Sequence, residues 1–206
     1  MMLKINNPAT IDPAVQRKLD DIPEVERPIK WDTSRTKAIK NFRNEIMTHG
    51  LKEQDNRCAW CTLPVGATGR RTAHRDHIAP KKLYPKWTFH AKNLVIVCEY
   101  CNGFAVKCDL DTVKTEKATY DDMEFFIVHP YLHDTEKHIR FREKEGNEPG
   151  VVVEGITPEG IWTVNQLKLY EDGLTVLRAQ ELVYYRNINK LPHHFQILLN
   201  KATGRE

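Results

Sequence analysis

The chain has 206 residues, and its 31 Lys and Arg stand against 28 Asp and Glu, for a formal charge of +3. That length suits one elaborated domain, or one domain plus a small module, and it can bury a core without disulfides. No run approaches the ~18 apolar residues of a membrane span. The opening MMLKINNPATIDPAVQRKLDD lacks the apolar stretch of a secretory signal, so a cytoplasmic protein is expected.

Residues 1–30 read as irregular, punctuated by Pro8, Pro13, Pro23 and Pro28. TSRTKAIKNFRNEIMTHG places Ile39, Phe42, Ile46 and Met47 at helical spacing, with Gly50 as a stop. The pair CAWC follows, then the basic, turn-rich GATGRR. TAHRDHIAP predicts a short strand ended by Pro80, KKLYPKWTFHAKN a loop, and LVIVC a second strand; a helix is expected after Cys101. MEFFIVHPY has a strand-like core. GVVVEGITPEGIWTV predicts a β-hairpin turning at TPEG. LTVLRAQELVYYRNINKL and PHHFQILLNK predict two helices, the second opened by Pro192, packing against the N-terminal helix. The divisions expected are 1–50, 51–110 and 111–206.

Four of the five cysteines form two CxxC pairs, Cys58–Cys61 and Cys98–Cys101; Cys108 is left over. In a reducing compartment such pairs are metal ligands more often than disulfides, and two of them supply the four soft ligands of a structural zinc. The competing reading is a cysteine redox protein. The pairs are 36 residues apart, longer than a zinc ribbon's spacing, so something is inserted between them. That insert is basic. Arg70, Arg71, Arg75, Lys81, Lys82, Lys86, Lys92 and Lys107 face only Asp76 and Glu99. All but Lys92 are candidate contacts to a phosphate-bearing partner.

Within the insert, Asp76-His77, Asn93 and Asn102 occur in order, in HRDHIAP, KNLVIVC and CEYCN. Each alone is weak, since isolated His and Asn are common on surfaces and in turns. Together, between two CxxC pairs, DHIAP–NLVIVC–CEYCN resembles the HNH endonuclease family in its HNN variant. The matched part is roughly residues 55–110. The resemblance implies an α+β chain: a ββα-metal core stapled by a four-cysteine zinc site, with flanking N- and C-terminal helices and a C-terminal hairpin. It implies His77 as general base, Asp76 and Asn102 as ligands of a catalytic Mg2+ or Mn2+, and Asn93 as the residue that holds the loop. An imidazole near neutrality can take a proton from water, and a hard cation prefers oxygen ligands. Asn102 also reads as a helix N-cap. Lys107 comes five residues after Asn102, one more than in many family members. His74 and His90 read as bystanders or phosphate contacts.

A narrower likeness extends to about residue 185. HIAPKKLYPKWTFHAKNLVIVCEYCN, FFIVHPYLHDTEKHIRF and GITPEGIWTVNQLKLYEDGLTVLR resemble the HNH subunits of Septu and retron-associated anti-phage systems. That likeness implies DNA as substrate and an ATPase subunit as partner. The alternative is a non-catalytic zinc module that binds nucleic acid or protein. No segment reads as a base-reading helix, so little sequence specificity is expected.

Overall fold

The computed structural model describes residues 2–68, 71–144 and 148–203. Arg70, one of the candidate phosphate contacts, lies outside them. The elements run α1 (Pro13–Asp20), α2 (Arg27–Thr33), α3 (Lys37–Glu53), β1 (Ala73–His77), β2 (Leu94–Cys98), β3 (Val113–Thr115), β4 (Glu124–Phe125), β5 (Ile139–Lys144), β6 (Glu148–Gly155), α4 (Pro158–Gln166), α5 (Asp172–Asn187) and α6 (His193–Thr203). The strands pair antiparallel as β1–β2, β3–β4 and β5–β6. The chain is therefore α+β, with helices at both ends and small ribbons between.

The β1–β2 ribbon is the centre. It pairs Asp76 with Val95 and His77 with Leu94. All five residues of β2 are buried, because α3 covers the ribbon with Ile39, Phe42 and Ile46. A two-stranded ribbon leaves backbone groups of β2 without a strand partner. Gln54 supplies one: its amide donates to the Ile96 carbonyl at 2.7 Å and accepts from the Ile96 N–H at 2.8 Å. The side chain thus copies a neighbouring strand at one residue, meeting the demand that buried backbone groups be paired.

Four expectations are corrected. Residues 1–30 contain α1 and the start of α2. Pro13 and Pro28 lie in the first turns of these helices, where a missing N–H costs nothing, and Asp12 caps α1 through the N–H groups of Ala14 and Val15. Gly50 does not stop α3, which runs on to Glu53; a Cβ there would lie 2.6 Å from Ile96 Cγ1, so glycine lets the helix pass close to β2. TPEG opens α4 rather than turning a hairpin. Thr157 caps that helix by accepting from the Gly160 N–H, and β6 pairs backwards with β5. Finally, α5 packs on β6 rather than chiefly on the N-terminal helix.

The first residues strap the molecule together. The Ile5 N–H donates to the Pro130 carbonyl, Lys4 Nζ to the carbonyls of Tyr131 and His133, and Thr135 Oγ1 to the Met2 carbonyl. No described helix is long and apolar enough to cross a membrane.

Candidate metal centre and adjoining cleft

Cys58, Cys61, Cys98 and Cys101 are buried and free, and their sulfurs all lie within 4.8 Å of one another. The Cys61 and Cys98 sulfurs are 3.8 Å apart. That is too far for a disulfide and equals the edge of a tetrahedron with Zn–S bonds of about 2.3 Å, roughly 3.8 Å. The cluster suits a metal such as zinc. Donated S–H bonds from Cys101, Cys58 and Cys61 pull the Cys98 thiol well down, while burial pushes Cys58 up. Proton sharing within such a cluster is what a soft cation replaces.

The buried Arg178 of α5 faces the cluster. Its Nη2 donates to the Leu169 carbonyl at 2.9 Å and its Nε to the Cys61 carbonyl at 3.4 Å, while Nη1 has no partner among the described residues. Burial lowers its pKa, and the charges of Cys61, Cys101 and Cys58 oppose that shift. A tetrathiolate zinc carries two net negative charges, so this guanidinium fits the site electrostatically.

Trp60, between the first two cysteines, links the cluster to the ribbon. Its indole N–H donates to Asp76 Oδ2 at 3.0 Å. Asp76 is buried, and its Oδ1 receives Lys107 Nζ at 3.0 Å; that ammonium also donates to the His77 carbonyl at 2.6 Å. Burial pushes the Asp76 carboxyl up, with Lys107 and Trp60 acting against it.

The His77 Nε2 lies 3.0 Å from the Thr88 carbonyl. A carbonyl only accepts, so Nε2 carries the proton and Nδ1 is the basic nitrogen. The ring sits edge-on to Trp31, at 4.5 Å between centroids. Burial, and then the charge of Lys81, depress its pKa to about 3. It is neutral at physiological pH.

Asn93 holds the 78–93 loop with every valence used. Its Oδ1 accepts from the Ala79 N–H at 2.7 Å and from the Tyr120 hydroxyl at 2.8 Å. Its Nδ2 donates to the Ala79 carbonyl at 3.1 Å and the Trp87 carbonyl at 3.0 Å. Behind it, the Tyr120 oxygen accepts from His129 Nε2 at 3.0 Å, and His129 Nδ1 accepts from the Tyr131 and Leu132 N–H groups.

Asn102 is held less firmly. Its Nδ2 lies 3.5 Å from His74 Nδ1. His74 Nε2 meets Thr72 Oγ1, which donates to Glu99. This chain of donors leaves the Asn102 amide oxygen without a partner among the described residues. His74, expected as a bystander or a phosphate contact, lies beside Asn102 through this contact. His90 stands apart, with Nε2 buried and unpaired among the described residues and its pKa lowered by burial to about 4.

Asp76, His77 and Asn102 thus line one cleft of about 160 Å³, with Trp31 and Lys81 on its walls; Asn93 lies behind it. Two further expectations are corrected here. No helix follows Cys101: residues 101–109 are turns, in which the Lys107 N–H reaches back to the Cys101 carbonyl at 3.3 Å and Cys108 has φ +40°. The N-cap reading of Asn102 goes with that helix. Lys107, expected as a phosphate contact, is fully buried on Asp76 and presents no surface to a phosphate in this structure. Among the described residues, three lysines of the basic insert are paired with carboxylates. Lys81 meets Asp32 at 3.3 Å and Lys82 meets Asp109 at 2.5 Å; Lys92 meets Asp121 at 2.5 Å, and Lys86 donates to the Ala118 carbonyl. Arg75 is part-buried, which lowers its pKa. Arg71 lies beside the β1 entry, where its carbonyl accepts from the Gly66 N–H.

Trp60, Tyr120, His129 and Arg178 were not picked out from the sequence as parts of the site, and Lys107 was picked out only as a phosphate contact. Only Trp60, inside CAWC, and His129, inside the HPY segment, carried a local signal.

No family model matches this chain. Among curated proteins it is similar to the Septu protein PtuB of Bacillus thuringiensis, with 22% identity over 157 residues, 75% of this chain and 54% of that protein. The chain spans about half the length of the relative it matches.

Proposed function

We propose that this chain is a metal-dependent HNH endonuclease that hydrolyses DNA phosphodiester bonds, working as the nuclease effector of an anti-phage defence system. The observation that carries the reading is the convergence of Asp76, His77 and Asn102 on one cleft beside the four-cysteine cluster, with Asn93 clamping the loop between them. The likeness to a Septu protein supports the defence context, and a partner ATPase subunit belongs to the same proposal.

The donor set suits a hard divalent ion: Asp76 offers a carboxylate and Asn102 an amide oxygen unpartnered among the described residues. Bound there, Mg2+ or Mn2+ would supply Lewis-acid stabilisation of the phosphate and the leaving oxygen. His77 accepts the proton of the attacking water at Nδ1, because Nε2 is committed to the Thr88 carbonyl. Trp31 keeps the ring from turning. Trp60 fixes one Asp76 oxygen relative to the cysteine cluster. His74 aims Asn102 by taking its amide hydrogen.

The second reading is a non-catalytic zinc module that binds nucleic acid or protein. It is favoured by the depth of His77 and by the pairing of Asp76 with Lys107. The deciding experiment is plasmid cleavage by zinc-loaded protein with Mg2+ or Mn2+, comparing wild type, His77→Ala and an EDTA control. Cleavage by wild type alone supports the nuclease. Equal cleavage by a folded His77→Ala variant removes that residue as the base. Absence of cleavage with and without a co-purified partner supports the zinc module.

A further inference from the structure

Against the cleft's Asp76 the chain places a cation of its own, buried and outside the cleft's lining. Lys107 Nζ contacts a carboxylate oxygen of Asp76 at 3.0 Å and the His77 carbonyl at 2.6 Å, and both side chains of the pair are sealed from solvent, at 0% and 4% exposure. A carboxylate and a carbonyl are also the oxygen types a hard divalent ion takes. An ammonium and a divalent ion at the same carboxylate oxygen repel strongly at that range. The lysine rides on the turns of residues 101–109, the same segment that carries Asn102, and no helical ladder holds it in place. We propose that Lys107 is a built-in counter-ion for Asp76 and that a divalent ion enters the cleft only by displacing it. Ion uptake and lysine withdrawal are then one event, and the affinity of the site for metal is set by residue 107. This inference rests on the proposed role of Asp76 as a metal-binding carboxylate.

The test is Mn2+ titration, followed by electron paramagnetic resonance, of zinc-loaded full-length protein. Four forms are compared: wild type, Lys107→Met, Asp76→Asn and the double variant. Lys107→Met should bind Mn2+ at least tenfold more tightly than wild type, and the double variant should lose that gain. Equal or weaker binding by folded Lys107→Met overturns the proposal. If Lys107→Met does not fold, wild type with 15N-labelled lysine decides. One shielded ammonium resonance, absent in Lys107→Arg, should be present without divalent ions and vanish at saturating Mg2+. Its persistence while the Asn102 side-chain amide shifts overturns the proposal. Tight Mn2+ binding by Lys107→Met without cleavage of DNA removes the nuclease and keeps the counter-ion. If no form binds Mn2+, both fall.

Discussion

Asn93→Asp keeps the size and shape of the side chain but replaces two donated hydrogens by an anionic oxygen. That oxygen would face the Ala79 and Trp87 carbonyls, now 3.1 and 3.0 Å from Nδ2. The site is fully buried, so the new carboxyl must fold protonated. Holding a group of unfolded pKa about 3.9 neutral at pH 7 costs about 4 kcal/mol, at about 1.4 kcal/mol per unit. A protonated acid has one hydrogen to give where the amide gave two, which adds about 1 kcal/mol. The sign follows from linkage. The unfolded acid ionises above about pH 3.9 and the folded one does not, so the destabilisation grows as pH rises. Expected losses are about 5 kcal/mol at pH 7 and about 2.5 kcal/mol at pH 5, out of a total of about 5–15 kcal/mol for a domain. Urea unfolding of both proteins from pH 5 to pH 8 measures the difference directly. A loss that is constant across that range, or below about 1 kcal/mol, would refute the bonding scheme drawn for Asn93.

Cys58→Ser should lower bound zinc from about one per chain to near none and abolish cooperative unfolding, read by metal analysis and thermal melts; a zinc-free variant that melts like wild type would remove the metal from the frame. Arg178→Met should speed zinc loss to a chelator about tenfold, the equivalent of about 1.4 kcal/mol, because the thiolates lose a buried cation. An unchanged release rate would leave Arg178 a packing residue only. Gly50→Ala should destabilise by about 1–2 kcal/mol despite alanine's better helix propensity, since overpacking outweighs a gain of about 1 kcal/mol. Adding Ile96→Val should restore part of that loss in denaturant melts, and no rescue would place the strain elsewhere.

The ribbon and the cysteine cluster were legible because each has a local signature. An apolar LVIVC and a TAHRDHIAP stretch ended by Pro80 read as short strands, and the four thiols needed only their spacing. For Asn93 the family resemblance implied a loop-holding role, and its side chain bonds to Ala79 and Trp87 of that loop. What failed was punctuation. Proline at 13 and 28 looked like a breaker but sits in the first turns of helices. TPEG looked like a turn but caps a helix, because Thr157 and Pro158 serve both purposes equally well. The basic insert shows what a linear charge count omits: Asp32, Asp109 and Asp121, which pair with three of its lysines, lie outside the counted segment. Lys107 was invisible as an inward residue, since a lysine is buried only where a specific carboxylate awaits it.

The strap formed by the first residues carries a kinetic consequence. Met2 and Lys4 dock on Thr135, Tyr131 and His133, so residues made early have their partners about 130 residues later. The thiols of Cys58 and Cys61 likewise wait for Cys98 and Cys101, whatever metal is at hand. Early segments therefore stay unsatisfied while later ones are synthesised, and loop-closure entropy makes such distant pairings slow. A pulse-labelled nascent chain should remain protease-sensitive around residues 2–5 until residue 135 has cleared the exit tunnel, then become resistant there in a single step.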